Sequence, residues 1–160
     1  MNPDYFPLVK GAMREYAVTN AQGLGSFKIE VLSVATSGGR TVAQCRRTTL
    51  WKGTPLKVTL FEVVRDSAAV STEGIPEFRF PVAQGTEWII SPRRYWIETL
   101  TAEINTPAGK FAGCLRVAYL IAEGDGGSGE RYYAPGLGLV KAVENDEGDP
   151  FTHELIAHSG

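Results

Sequence analysis

FKIEVLSVATSGGRTVAQCRRTTLW, residues 27–51, is the stretch that decides the fold. In its first run Phe27, Ile29 and Val31 alternate with Lys28 and Glu30. That period of two puts the apolar side chains on one face and the charges on the other, as in a half-buried strand. Ser37-Gly38-Gly39 interrupts the run, and Arg40–Trp51 resumes it. Two such runs about a glycine turn predict a long antiparallel hairpin. Lys52-Gly53-Thr54-Pro55 marks the next turn and leads into LKVTLFEVV, the third strand of a meander.

The same period recurs downstream. In FAGCLRVAYLI, Phe111, Gly113, Leu115, Val117, Tyr119 and Ile121 share one face, and Cys114, Arg116 and Ala118 share the other. Ala102 and Ile104 alternate with Thr101 and Glu103. Turn signals stand at Thr106-Pro107-Ala108-Gly109 and along Gly124–Gly129. The count is about nine strands, which suits one large curled sheet or an incomplete barrel. No window of about eleven residues or more carries a helical stripe. Only a short helical turn near Asn2–Lys10 or Ala12–Tyr16 is admitted.

At 160 residues, 43% hydrophobic and 21% charged, the chain fits a single folded domain spanning 1–160. Phe6-Pro7-Leu8-Val9-Lys10-Gly11 matches Phe80-Pro81-Val82-Ala83-Gln84-Gly85 at an offset of 74. Proline keeps the chain extended as it enters the sheet, and glycine permits the turn. Pro7, Gly11, Pro81 and Gly85 are therefore expected to be structural. The match suggests related halves, 5–77 and 78–158, or chance in a short motif. The net charge of −2 supplies no field to recruit nucleic acid. No apolar run reaches the roughly 20 residues of a transmembrane helix. Cys45 and Cys114 are too few for a disulfide scaffold. Two buried thiols are expected, with one bridge as the alternative.

YYAPGLGLVK, residues 132–141, resembles a phosphate loop at first sight. The dinucleotide fingerprint needs a third glycine, and Lys141 stands near that place. A P-loop needs Ser or Thr after the lysine, and Ala142 follows. Both need a helix behind them, whereas LVKAVEND reads as a strand. Pro135-Gly136 is instead a turn pair, and Gly138 permits a bulge. Leu139–Val143 is then a strand returning to the sheet, with Lys141 expected to face solvent.

HELIAH, residues 153–158, falls one residue outside the zinc-protease spacing. His153 and His158 are five apart, on opposite faces of a strand, and a terminal edge strand is expected there. The acidic stretches Glu123–Glu130 and Glu144–Pro150 lack a calcium-loop pattern and read as solvated hairpin loops. Ser128 lacks the second glycine of a nucleophile elbow. SPRRYWIETL, residues 91–100, reads as a surface strand whose arginines pack on cross-strand aromatics rather than as a base-stacking site. No catalytic residue, metal site or cofactor is assigned.

YFPLVKG, TPAGKFAGCLRV and YYAPGLGLVK together resemble an uncharacterised bacterial β-domain family, from Tyr5 to about Val143. Its members open with Tyr-Phe-Pro-Leu and close with Tyr-Ala-Pro-Gly-x-Gly-Leu-Val-Lys. The resemblance implies an antiparallel β domain without an established activity, exported or lipid-anchored at the cell envelope. Arg14 stands where such members often carry tryptophan, and Trp88 holds the matching place later in the chain. The start, MNPDYFPLVKG, has no leader pattern and by itself implies a cytoplasmic protein or one whose leader has been removed.

A curled sheet must bury its concave face, either as a filled core or as a pocket. Trp51, Phe61, Trp88, Trp96, Phe111 and Tyr119 are the aromatic candidates for lining it. The expected function is a non-catalytic binding or envelope-associated module taking an apolar or amphiphilic ligand, or a protein partner, on that face. The alternatives are an assembly domain using an exposed strand edge and, last, a hydrolase or metal enzyme.

Overall fold

A computed structural model describes residues 2–20, 23–51, 57–122, 126–146 and 149–160. Alternating sequence becomes strand throughout. β1 (Met13–Asn20), β2 (Gly23–Ser37), β3 (Arg40–Trp51), β4 (Lys57–Arg65), β5 (Ala69–Thr72) and β6 (Ile75–Arg79) follow one another as a meander. β7 (Glu87–Ile90), β8 (Arg93–Thr106), β9 (Gly109–Ile121), β10 (Gly127–Ala134), β11 (Gly138–Asp146) and β12 (Asp149–Ser159) form a second. They make one antiparallel sheet in the order β6-β5-β4-β3-β2-β1-β12-β11-β10-β9-β8-β7. The sheet curls into a nearly closed barrel, the all-β architecture that the alternation predicts.

The strands number 12 rather than nine. β5, β6 and β7 span only four or five residues each, too short for a two-residue period to declare itself. The C-terminal strand also differs from expectation. β12 is no edge; it lies between β1 and β11 and joins the two meanders. Neither short segment near the N-terminus is helical, and Met13 onward is already β1.

Curvature enters at bulges. The register slips between Val31 and Ser33 on β2, between Glu15 and Tyr16 on β1, and between Tyr132 and Tyr133 on β10. An extra residue on one strand of a pair bends it and increases its twist. The hairpin predicted at Ser37-Gly38-Gly39 is present, with Ser37 opposite Arg40.

The two Phe-Pro segments enter the sheet with the same hydrogen bonds. Gly11 N donates to Val31 O at 2.9 Å, and Gly85 N to Ile97 O at 2.9 Å. Ala12 N to Val9 O and Thr86 N to Ala83 O repeat the tight turn at 3.1 and 3.2 Å. Val31 N to Ala12 O and Ile97 N to Thr86 O complete the set at 3.0 and 2.8 Å. Gly11 and Gly85 take φ of 88° and 93°, a region that costs glycine little and other residues much.

The N-terminal segment lies across one end of the barrel. Asp4 O accepts from Gly136 N at 2.8 Å, the Asp4 carboxylate pairs with Arg65 at 3.0 Å, and Asn2 Nδ2 donates to Val82 O at 2.7 Å. Tyr5 is buried beneath it. The interior holds two apolar clusters, one containing Cys45 and the other Cys114. Both thiols are free and buried.

Candidate functional site

Strand alternation lines the barrel interior. Phe27, Ile29 and Val31 share the inward face of β2, and Ile29 lies opposite Arg14 on β1 and Arg47 on β3. Phe61 and Val63 point inward from β4, opposite Cys45 and Ala43. With Phe6 and Leu8 from the N-terminal segment, these side chains wall a cavity of about 300 Å³. Ile75, 55% exposed on β6, also lines it, so the cavity reaches the surface.

The wall is apolar, yet four arginines, three glutamates and His153 also face the cavity. Charges inside a barrel require partners, because desolvating an ion costs several kcal/mol. Three of the arginines have them. Arg14, 7% exposed, donates from Nε to Leu137 O at 2.6 Å and from Nη2 to Pro7 O at 3.3 Å. It ties β1 to the turn after β10. Arg131 faces Glu77 at 3.7 Å, and the same carboxylate accepts a 2.7 Å bond from Tyr133 Oη. Burial pulls the Arg131 pKa down, but Tyr133, Glu77 and Tyr95 outweigh it and hold the value above its usual range. Arg93 packs 4.8 Å from the centroid of the Tyr119 ring, with Nη1 3.4 Å from Tyr95 Oη.

Arg47 is different. Its guanidinium lies 5.7 Å from the centroid of Phe27 and 5.0 Å from that of Phe61. Among the described residues no carboxylate or carbonyl pairs with it. Nearby, the His153 ring stands edge-on to Phe27 at 5.3 Å and to Phe151 at 4.5 Å. Among the described residues neither His153 nitrogen has a hydrogen-bond partner. Burial first, then the charges of Arg47 and Arg131, lower its pKa to about 4. His153 is therefore neutral at neutral pH.

The turn between β10 and β11 serves this interior. Leu137 N donates to Ala134 O at 3.1 Å, closing Ala134-Pro135-Gly136-Leu137 as a turn with proline at the first corner and glycine at the second. Gly138 takes φ of 107°, and a Cβ there would stand 3.3 Å from the Arg14 guanidinium. Gly138 thus makes room for an arginine, and β11 follows the turn with no helix. Lys141 is not directed freely into solvent: it is 23% exposed and pairs with Glu154 at 3.9 Å.

The structure disperses the five aromatic candidates whose side chains it describes. Phe61 lines the cavity. Trp88 is buried and stacked on Tyr95, with ring centroids 5.6 Å apart. Tyr119 is buried against Gly129. Trp96 packs under Arg94 at 5.1 Å, and Phe111 borders a separate hollow with Leu137 and His158. The Trp51 side chain lies outside the described residues. Arg47 and His153 are among the polar groups that the sequence reading did not place here. For Arg47 a signal existed: in Cys45-Arg46-Arg47, strand alternation sends one of two adjacent arginines inward. Arg46 faces outward and pairs with Glu30 at 3.2 Å. His158 is exposed, and among the described residues no group of three or more His, Cys, Asp or Glu is placed to hold a metal.

No protein-family model matches the chain, and no curated protein matches it. Two solved structures share its fold over 99% of its length and 100% of theirs. One is a "putative lipoprotein" from Parabacteroides distasonis, 16% identical with a TM-score of 0.68. The other is a "putative exported protein with YmcC-like fold" from Bacteroides fragilis, 15% identical with a TM-score of 0.66. At these identities the likeness establishes the architecture alone.

Proposed function

We propose that the protein is a non-catalytic binding module that holds a small apolar or amphiphilic ligand inside its barrel. The apolar-walled cavity of about 300 Å³ carries this reading. Its size falls at the lower end of small-molecule sites, about 300–1,000 Å³, which favours a short chain or a single ring system. Convergent polar groups on an otherwise apolar wall orient a ligand without implying chemistry. The lipoprotein and exported-protein descriptions of the two structural neighbours support a place at the cell envelope.

The neutral fluorophore N-phenyl-1-naphthylamine tests the reading. Saturable one-to-one binding is expected, and Ile29→Trp, which fills the cavity, should abolish it while the far-ultraviolet dichroism is kept. Absence of saturable binding to the folded wild-type chain overturns the proposal.

A further inference from the structure

Arg47 separates this cavity from a plain hydrophobic slot. A guanidinium is charged at every accessible pH and presents several N–H donors in a planar fork. Arg14, Arg93 and Arg131 use theirs on carbonyls, a carboxylate or rings of the protein. Among the described residues Arg47 makes no hydrogen bond or ion pair; it packs over the Phe27 and Phe61 rings, which hold the guanidinium through their π-faces but accept none of its hydrogen bonds.

The glutamates on the cavity wall do not supply the missing acceptor. Glu77 is committed to Arg131 and Tyr133. Glu73 sits exposed in the β5–β6 turn, and Glu144 lies opposite Phe151 at the β11–β12 hairpin. Neither makes an ion pair with Arg47. The charges that act on His153, Arg47 and Arg131, are both positive. Beside His153, Arg47 thus presents unused donors next to apolar walls.

We infer that Arg47 receives the anionic head, carboxylate or phosphate, of an amphiphilic ligand whose apolar part lies along Phe27, Ile29 and Phe61. The inference rests on the binding-module reading and adds the charge of the ligand. In an apolar surround a charge-assisted bidentate pair is stronger than a neutral hydrogen bond. The neutral His153 ring nearby can add one N–H donor to an anion held by Arg47.

A head-group series at constant chain length tests this on the wild-type protein by isothermal titration calorimetry. The probes are octanoate, octyl phosphate, octan-1-ol and octylamine at neutral pH. At least one of the two anions should bind about tenfold or more tightly than octan-1-ol. Octylamine should bind more weakly than the alcohol. Arg47→Met should reduce the anion to the affinity of the alcohol and leave the alcohol unchanged, whereas Arg46→Gln, on the outer face, should alter neither. If Arg47→Met does not fold, Arg47→Lys and the wild-type series carry the test. Equal affinities for alcohol and anions overturn the inference and leave the apolar cavity reading standing. Failure of all four probes, and of N-phenyl-1-naphthylamine, removes both.

Discussion

Acid should destabilise this protein in a window set by His153. The ring is neutral and, among the described residues, without a hydrogen-bond partner, and its pKa falls from 6.5 to about 4 through burial and the charges of Arg47 and Arg131. A histidine whose folded pKa is depressed takes up its proton more readily in the unfolded chain. Its contribution is therefore complete above the unfolded value and is lost as pH falls from 6.5 towards 4. Between pH 7 and pH 4.5 the linkage relation gives a loss of about 2 kcal/mol. For a domain of this size that corresponds to a fall in Tm of about 5 to 10 °C.

The Glu130 carboxylate acts mainly below this window. Burial raises the Glu130 pKa, but bonds from Tyr132 and Arg116 outweigh it, so the value lies below 4.5. Its stabilisation is lost only under that pH. Calorimetric melts at pH 7 and pH 4.5 read the effect. His153→Phe, which keeps a ring between Phe27 and Phe151 but cannot titrate, should flatten the dependence. A variant that loses as much Tm as the wild type over this range would refute the assignment.

Two further perturbations probe the interior. Gly138→Ala forces φ of 107° on alanine and brings a Cβ to 3.3 Å from Arg14. It should cost about 1–3 kcal/mol by urea titration, whereas Gly136→Ala, at φ of 73° with open space around it, should cost less. Cys45 and Cys114 are 2% and 0% exposed. Burial raises both thiols, Cys114 to about 11. Neither should react with a disulfide reagent such as 5,5′-dithiobis(2-nitrobenzoate) until denaturant is added. Rapid reaction of the native protein would contradict their burial.

The architecture was legible because its signal is local. Alternation at Phe27–Val31 and Phe111–Ile121, with glycine turns between, specifies long antiparallel strands wherever a run exceeds a few residues. It gives nothing for Glu87–Ile90, where four residues cannot display a period. The placement of β12 was hidden for another reason. Pairing Met13 with Ser159 is a contact between chain ends, and no local pattern encodes it. The cavity was hidden more deeply still. Aromatic content marks what can be buried, but whether rings meet depends on cross-strand register. Register stacks Trp88 on Tyr95, opposite each other on β7 and β8, and fills that part of the barrel.

The cavity follows from what stands at the matching place near β1. Arg14 and Trp88 each come three residues after the glycine that ends a Phe-Pro segment, and the two segments share their hydrogen bonds. Trp88 meets Tyr95 and leaves no space between them. Arg14 meets Ile29 and reaches past it to the carbonyls of Leu137 and Pro7. A long side chain directed at the backbone of one end of the barrel does not cover the wall beside it. Ile29, flanked by Arg14 and Arg47 on either side, therefore faces the cavity, which Tyr95 of the ring stack borders from the other meander. Gly138 completes the arrangement, because any side chain there would crowd the Arg14 guanidinium. The glycine motif of YYAPGLGLVK thus bears on ligand space indirectly: it lets Arg14 anchor at the barrel end, and the anchored arginine leaves the apolar wall open.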